Sequence, residues 1–358
     1  MTLKLEEVVA GIEPVSREWR TKARNYLNTL AIPQGSLGEL LSVAEQLAAI
    51  KQNLKPSVRN KTVVTMAGDH GVVDEGVSAF PQEVTPQMVA NFVAGGAAIN
   101  VLSEAAGAKV VVVDMGVAAD LSGLAAEGKI ISYRVAPGTR NIAQGPAMTR
   151  EQALQALEAG IDIAGNLVKE GVELLGTGDM GIGNTTPSSA ILAAFSGRPA
   201  EEITGRGTGI NDEALENKVR IIQKALQINK PDAKDPIDVL AKVGGFEIGG
   251  IAGLILGAAY YKTPVVIDGF ISSAGALLAK ALAPDSLEYM IAAHRSMEPG
   301  HIYMLEELGL DPLLNLNLRL GEGTGGALAM NIVESAAGVI GKMLTFEAAG
   351  VTSDVPRN

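Results

Sequence analysis

The sequence Thr62-Val-Val-Thr-Met66, followed closely by Gly68-Asp69-His70-Gly71, decides the fold of this chain. A short apolar run rich in β-branched residues is typical of a strand buried on both faces, as in a parallel sheet. Five more runs share this pattern, and helical segments separate them: residues 109–114, 130–135, 172–175, 264–268 and 289–293. We therefore predict an α/β fold, Rossmann-like, in which a parallel sheet is flanked by helices.

The N-terminal part of the chain is predicted to be a helical appendage beside this sheet. Residues 1–55 have amphipathic helical spacing, with Ser16 and Ser36 as N-caps. We expect residues 56–330 to form the large α/β domain that carries the functional site.

Two helix starts within the large domain carry local signals. Thr149-Arg-Glu-Gln152 is a capping box, and it predicts a helix that runs to about Val168. Thr186-Pro187 supplies an N-cap and a proline at the first helical position.

Composition excludes several classes of function. The net charge of −11 argues against a nucleic-acid partner, because the phosphate backbone requires an excess of Lys and Arg. The absence of cysteine excludes disulfides, thiolate nucleophiles and Cys-ligated metals. The longest weakly polar run, residues 249–261, is shorter than the ~20 residues that span a bilayer. We expect a cytoplasmic protein with neither a membrane nor a nucleic acid as partner.

Polar residues follow the predicted strands at their carboxyl ends. They include Asp69, His70, Asp114, Asp268 and His294. In open α/β sheets the ligand lies outside the carboxyl ends of the strands. For each residue alone a role as a turn or cap residue is favoured, but the set together predicts a binding site at this edge.

Two glycine-rich segments each carry one acid: residues 176–187 with Asp179, and residues 321–326 with Glu322. Both are predicted to be loops that open into a helix, where backbone N–H groups and the helix N-terminus favour phosphate. The same environment favours an ionised carboxylate, which a general base requires. From the residues alone, Glu322 is equally well a general base or a stabilising neighbour of a helix N-terminus.

The first segment matches the dinucleotide fingerprint at Gly176, Gly178 and Gly181. In that fingerprint the helix follows promptly and a second strand ends about 20 residues later in an acid. Here the segment continues through Gly183 and Asn184, and no strand run lies near residue 200. A phosphate or nucleotide loop of another type is favoured, with a structural turn as the alternative.

Cationic and metal-binding candidates are few. Arg206 and Lys218 could neutralise a phosphate, or they could be solvated residues of an amphipathic helix. His70, His294 and His301 lack the spacing of metal ligands, so we expect no metal and no other cofactor. The chain also lacks the Gly-x-Ser-x-Gly elbow and the Walker loop, which argues against a serine hydrolase and a P-loop ATPase.

The chain resembles the nicotinate-nucleotide:dimethylbenzimidazole phosphoribosyltransferase family, the CobT family of cobalamin biosynthesis. The motifs that carry the resemblance are residues 33–38, 67–71, 75–81, 178–187, 242–246, 267–270 and 318–325. The resemblance implies transfer of phosphoribose from nicotinate mononucleotide to 5,6-dimethylbenzimidazole, giving α-ribazole 5′-phosphate and nicotinate. It also implies a homodimer and a small helical domain formed from the chain termini. In that domain residues 331–358 would form a C-terminal helix that packs with the helices of residues 1–55.

The same resemblance assigns site residues. Glu322 would be the catalytic base. The nucleotide and its phosphate would be held by Asp179, Gly181, Asn184, Thr185, Gly207, Lys218 and Ser296. The ring of the base would lie against Phe80, Val84, Met88 and Leu320.

The chain departs from the family pattern at two places. The family usually has Glu where this chain has Asp179, which is one methylene shorter, and a lysine is missing from the motif at residues 32–38. A non-catalytic protein that binds a benzimidazole or its riboside is the alternative function. The pair of glycine-rich segments argues against that alternative, because binding a ring requires no anion-compatible loops.

Overall fold

The fold is built on one six-stranded parallel sheet, seen in a computed structural model that describes residues 3–352. Its strands are β1 (Lys61–Gly68), β2 (Ala108–Gly116), β3 (Ile131–Ser132), β4 (Leu174–Met180), β5 (Val265–Ile267) and β6 (Met290–Ala292). The strand order is β3-β2-β1-β4-β5-β6, and every pair is parallel. The predicted α/β fold class is confirmed.

All six predicted strands are present, but their bounds differ from the predicted ones. β1 and β2 extend past the predicted residues, and β3, β5 and β6 are shorter than predicted. β4 is longer, because Gly176 and Gly178 continue the strand instead of beginning a loop. A β-carbon at Gly178 would collide with the backbone carbonyl oxygen of Glu322 and lie 3.0 Å from the nitrogen of Gly323. The glycine at position 178 thus allows another segment to approach the strand closely.

Helices cover both faces of the sheet. They are α1 (Leu5–Gly11), α2 (Arg17–Leu27), α3 (Glu39–Lys51), α4 (Val84–Ala94), α5 (Ala98–Ala105), α6 (Ser122–Ala126), α7 (Arg150–Lys169), α8 (Thr185–Ser196), α9 (Ala200–Ile203), α10 (Asp212–Asn229), α11 (Pro236–Val243), α12 (Phe246–Tyr260), α13 (Phe270–Leu282), α14 (Gly300–Leu308), α15 (Thr324–Lys342) and α16 (Phe346–Ala349). Short 3₁₀ helices at Gly71–Glu75 and Pro284–Tyr289 complete the set among the described residues. α7, α12 and α13 pack on one face, whereas α3, α4, α5 and α15 pack on the other.

Two of the predicted helix starts are confirmed. Thr149 Oγ1 accepts a hydrogen bond from the Gln152 backbone N–H at 3.2 Å, and Gln152 Oε1 accepts one from the Thr149 N–H at 2.9 Å. α7 then runs to Lys169, one residue past the predicted end. Ser16 Oγ accepts from the Trp19 N–H and caps α2.

Two other predicted helix starts are wrong. α3 begins after Gly38, two residues past Ser36. α8 begins at Thr185 with Asn184 as its N-cap, so Pro187 lies inside the first turn. The first turn tolerates proline because its N–H groups have no partner within the helix.

The N-terminal and C-terminal segments meet beside the sheet. Ala31 N–H donates to Leu344 O at 3.0 Å, and Phe346 N–H donates to Thr29 O at 3.0 Å. α2 and α3 pack against α15 in this region. α1 lies apart from them, on the opposite face against α7 and α12, where Leu5 is buried.

The proposed boundary between residues 330 and 331 falls within one continuous helix, α15. This helix begins under the sheet edge and ends among the helices of the chain termini. Residues 353–358 of the predicted C-terminal segment lie outside the described residues.

One segment, Val84–Ala105, is long and apolar enough by composition to cross a membrane, and it is longer than the run at residues 249–261 that the sequence pattern singled out. The chain turns within it, because α4 ends at Ala94 and Gly95 has a φ of 77°. α4 and α5 are therefore two short helices, and both contact the sheet.

Candidate active site

A cavity of about 750 Å³ opens at the carboxyl edge of the sheet. The strand order reverses direction between β1 and β4, the point at which open α/β sheets bind their ligands. The walls of the cavity come from the segments after β1, β4, β5 and β6, from α4, and from the residues before α15. The lining residues are Val77, Ser78, Phe80, Val84, Met88, Asp179, Met180, Gly181, Ile182, Gly183, Asn184, Thr185, Gly207, Thr208, Gly269, Phe270, Ile271, His294, Ser296, Glu298, Asn317, Leu318, Arg319, Leu320, Gly321 and Glu322.

The cavity brings together all of the predicted site residues except Lys218. Lys218 is fully buried one layer behind the wall. Its Nζ donates to Thr185 Oγ1 at 2.6 Å and to Gly205 O at 3.1 Å. Burial lowers the pKa of Lys218 to about 8, against the opposing charge of Glu298. Lys218 thus places a cation directly behind the segment that contains Gly207.

The structure turns Arg206 away from the cavity. Its guanidinium pairs with Asp212 and donates to Ile210 O at the start of α10. Arg319 approaches the same segment from the cavity side instead, where its Nη1 donates to Gly207 O at 3.3 Å. The cations that contact residues 205–209 from elsewhere are therefore Lys218 and Arg319.

Glu298 is a cavity residue that sequence reasoning missed. Its Oε1 accepts a hydrogen bond from the Gly207 N–H at 2.9 Å. Its Oε2 is buried and has no partner among residues 3–352. The sequence did offer one signal for Glu298: it lies six residues after β6, and the site residues His294 and Ser296 follow the same strand.

Glu322 has an unusual backbone conformation. Its φ is 64°, in the left-handed region that side chains other than glycine and asparagine rarely adopt. Such conformations persist where the surroundings enforce them, and they cluster at functional sites. The Glu322 N–H donates to Asp179 O at 3.2 Å, and Thr65 Oγ1 donates to Glu322 O at 2.9 Å. The backbone of Glu322 is therefore held by two central strands of the sheet.

The Glu322 side chain lies at the cavity wall with only 5% of its surface exposed. Burial raises the pKa of this carboxyl, and the negative charge of Asp268 raises it further, while the hydrogen bond from the Ile99 N–H opposes both. A raised pKa makes the carboxylate a stronger base.

Asp179 is fully buried beside the same loop. Its Oδ2 accepts from Asn184 Nδ2 at 2.9 Å. Burial raises the pKa of Asp179 well above its ordinary value, and the charge of Asp268 adds to this shift. The helix N-termini were expected to favour ionised carboxylates at both positions, whereas burial shifts the pKa of Asp179 and of Glu322 upward.

An apolar wall faces these carboxylates. Phe80 and Leu320 are exposed at 51% and 58% of their surfaces, while Val84 and Met88 are half-buried beside them. Met180 continues the apolar surface inward. The cavity thus has an apolar side that fits a flat ring and a side lined by glycine N–H groups and a buried cation.

The three histidines have different surroundings. His70 lies behind the cavity, where its Nε2 is 2.8 Å from Glu247 Oε1. His294 lines the cavity. Nδ1 of His301 accepts from the Ser296 N–H at 2.8 Å, and burial lowers the pKa of His301 to about 3, so this ring is neutral. Within the described residues no cluster of three metal-ligating side chains occurs.

Comparison with known proteins places this chain among phosphoribosyltransferases. A family model described as "Phosphoribosyltransferase" (DBI_PRT) matches residues 12–351. The nicotinate-nucleotide–dimethylbenzimidazole phosphoribosyltransferase of Geobacter sulfurreducens is 57% identical over 98% of this chain and 99% of its own length. That of Desulforamulus reducens is 56% identical over 98% and 99%. The crystal structure of CobT from Thermus thermophilus matches with a TM-score of 0.89 at 47% identity, covering 94% of this chain and 99% of that one.

Proposed function

This chain belongs to the nicotinate-nucleotide–dimethylbenzimidazole phosphoribosyltransferase family, and we propose that the cavity at the carboxyl edge of its sheet carries out the reaction. Phosphoribose passes from nicotinate mononucleotide to 5,6-dimethylbenzimidazole, giving α-ribazole 5′-phosphate and nicotinate. The observation that carries this assignment is the buried carboxylate of Glu322, placed between an apolar wall and a cation-backed glycine segment.

The chemistry requires a base at one end of the cavity. One ring nitrogen of the benzimidazole attacks the anomeric carbon of the ribose, and positive charge develops on that ring. Glu322 accepts the proton from the other ring nitrogen, which neutralises the charge as it forms. The glycosidic electron pair leaves with nicotinate, whose pyridinium nitrogen becomes neutral. Attack opposite the leaving group converts the β-nucleotide into the α-product.

The nucleotide end is assigned to the residues around Lys218. Thr185 and Asn184 begin α8, whose N-terminus favours an anion. A β-carbon built on Gly207 would lie 3.2 Å from Lys218 Nζ. Ser296 and Gly181 line the same cavity. These features support binding of the ribose phosphate here, with Asp179 beneath it.

The direct test is release of nicotinate. Incubation of the protein with nicotinate mononucleotide and 5,6-dimethylbenzimidazole should release nicotinate and form α-ribazole 5′-phosphate, both measured by chromatography. A protein that merely binds a benzimidazole would give heat of binding in calorimetry and no nicotinate. That second result would overturn the proposed activity.

We expect kcat/KM for nicotinate mononucleotide to fall as the pH rises through about 8, where Lys218 loses its proton. The ratio kcat/KM reports the free enzyme, so the shifted pKa of the unliganded site is the relevant one. Lys218→Arg keeps the positive charge to far higher pH, and the fall should move to higher pH. Lys224→Arg, on the exposed side of the same helix, is the control and should leave the profile unchanged. A Lys218→Arg profile identical to the wild type would refute this role.

A homodimer that acts in the cytoplasm is part of the proposal. Two large apolar side chains that do not line the cavity are more than half exposed next to residues that do: Leu316 at 52% and Met297 at 55%. Clustered exposed apolar residues mark association surfaces, and a second copy of this chain would cover them. The proposed substrate is phosphorylated, and such charged metabolites do not cross membranes freely. This supports a cytoplasmic location.

Light scattering should therefore give twice the chain mass at micromolar concentration. Leu316→Asp should shift the protein toward a monomer, because it places a charge on the covered apolar surface. Ile228→Asp is the matched control, since Ile228 is 46% exposed on α10. A monomeric wild type would contradict the proposed dimer.

A further inference from the structure

Asp268 connects the end of β5 to the loop that carries Glu322. It follows the strand directly, and its side chain is fully buried. Its Oδ2 accepts a hydrogen bond from the Gly323 N–H at 3.2 Å, and its Oδ1 accepts one from the Gly326 N–H at 2.8 Å. Asp268 itself is fixed, because its backbone N–H donates to Thr177 Oγ1 at 3.1 Å.

The two glycines that Asp268 contacts follow Glu322 closely in the chain. Gly323 is the N-cap of α15, and Gly326 lies in the first turn of that helix. The N–H groups of a first turn have no partner within their own helix, and Asp268 supplies acceptors for two of them. With Asp179 O and Thr65 Oγ1 holding Glu322 itself, the left-handed residue is fixed on both sides.

The carboxyl of Asp268 also lies close to other titratable groups. Burial raises the pKa of Asp268, whereas His294 and the backbone N–H groups that donate to its oxygens favour the carboxylate. The titratable groups around it are His294, whose Nε2 is 3.7 Å from Asp268 Oδ1, together with Asp179 and Glu322. Glu247 is another acid near this group, and its negative charge raises the pKa of Asp179.

We propose that Asp268 is a positioning residue for Glu322: its carboxylate fixes the backbone that presents Glu322 to the attacking base. The negative charge of Asp268 acts on Glu322 in addition to these contacts. This inference rests on the proposed function, in which Glu322 accepts the proton. Asp268 does not line the cavity, so it acts through Glu322 and not on the substrate.

Two substitutions distinguish the backbone contacts of Asp268 from the effect of its charge. Asp268→Asn keeps the shape but removes the charge and one acceptor, because its amide group would face the N–H of Gly323 or Gly326. We expect kcat to fall roughly 10- to 100-fold, the scale of loss from a misplaced catalytic group. We also expect the acid limb of the pH profile to move to lower pH, because the pKa of Glu322 falls when its negative neighbour is removed.

Asp268→Glu keeps the charge and moves the oxygens by one methylene. It should lower kcat while leaving the acid limb closer to that of the wild type than Asp268→Asn does. Asp235→Asn is the matched control, since Asp235 also accepts two backbone N–H groups, at the start of α11 away from the cavity. The control should leave both kcat and the acid limb unchanged.

The outcomes are distinguishable from failure of the function itself. No nicotinate release by the wild type would refute the proposed reaction, and full activity of Glu322→Gln would refute the base. If the wild type is active and Glu322→Gln is not, wild-type kcat in Asp268→Asn overturns the role of Asp268. A lower kcat with an unmoved acid limb overturns its electrostatic part. Should Asp268→Asn fail to fold in thermal melting, Asp268→Glu decides, and wild-type kcat in that variant overturns the proposal.

Discussion

Glu322→Gln should lower the rate of nicotinate release by about 100- to 10,000-fold, the usual contribution of a general base. The amide has nearly the shape of the carboxylate but cannot accept the proton that the attacking ring loses. KM for nicotinate mononucleotide should change little, because Glu322 is assigned to the attacking base and the amide keeps the shape of the carboxylate beside the nucleotide residues. Initial rates with both substrates at saturation measure the effect.

The control for this substitution is Glu127→Gln, since Glu127 is exposed at the end of α6 and pairs with Lys129. It should have wild-type kcat. Thermal melting should give similar Tm values for both variants and the wild type. A Glu322→Gln protein that turns over at the wild-type rate would assign the base to another group in the cavity.

Gly178→Ala should lower kcat by about 100-fold, although it changes no group that touches substrate. The added methyl group has no room, because the carbonyl carbon of Glu322 lies 2.8 Å from its position. Since Gly178 is in the middle of the sheet, the loop that carries Glu322 must move instead. A displacement of about 1 Å at a catalytic group costs on the order of 100-fold in rate. Overpacking of this kind also costs about 1–3 kcal/mol of stability, so Tm should fall as well.

Gly338→Ala is the matched control because Gly338 lies in α15, the helix that follows Glu322, and has nothing within 4 Å of a β-carbon. Alanine favours the helix by about 1 kcal/mol over glycine, so Tm should stay or rise and kcat should not change. Wild-type kcat in Gly178→Ala would show that the approach of the two segments does not position the base.

The parallel sheet could be predicted because the signal for it is local. Runs such as residues 62–66 and 109–114 are rich in β-branched residues and lack a regular alternation of apolar and polar positions, which is characteristic of a strand covered on both faces. The capping box at Thr149 predicted the start of α7 correctly for the same reason, because both of its hydrogen bonds join residues three positions apart. The polar residues at the strand ends followed from the topology of such sheets.

The errors fall where distant segments meet. Gly176 and Gly178 read as the beginning of a loop, yet they are strand residues whose missing side chains make room for other segments. The raised pKa of Asp179 was not predicted either, because burial of that carboxyl depends on elements that the local sequence does not contain. Glu298 was missed because its partner, Gly207, lies 91 positions away.

The sequence by itself determined the sheet, its helices and the edge at which polar residues collect, because hydrophobic period and turn chemistry act over a few neighbouring residues. It left Glu322 equally well a base or a neighbour of a helix N-terminus until whole-chain resemblance favoured the base. Only the tertiary structure decided how Glu322 is held. Its left-handed backbone depends on Thr65, 257 positions away, and the next residue depends on Asp268. Such a conformation is unfavourable locally and persists only where distant contacts compensate for it.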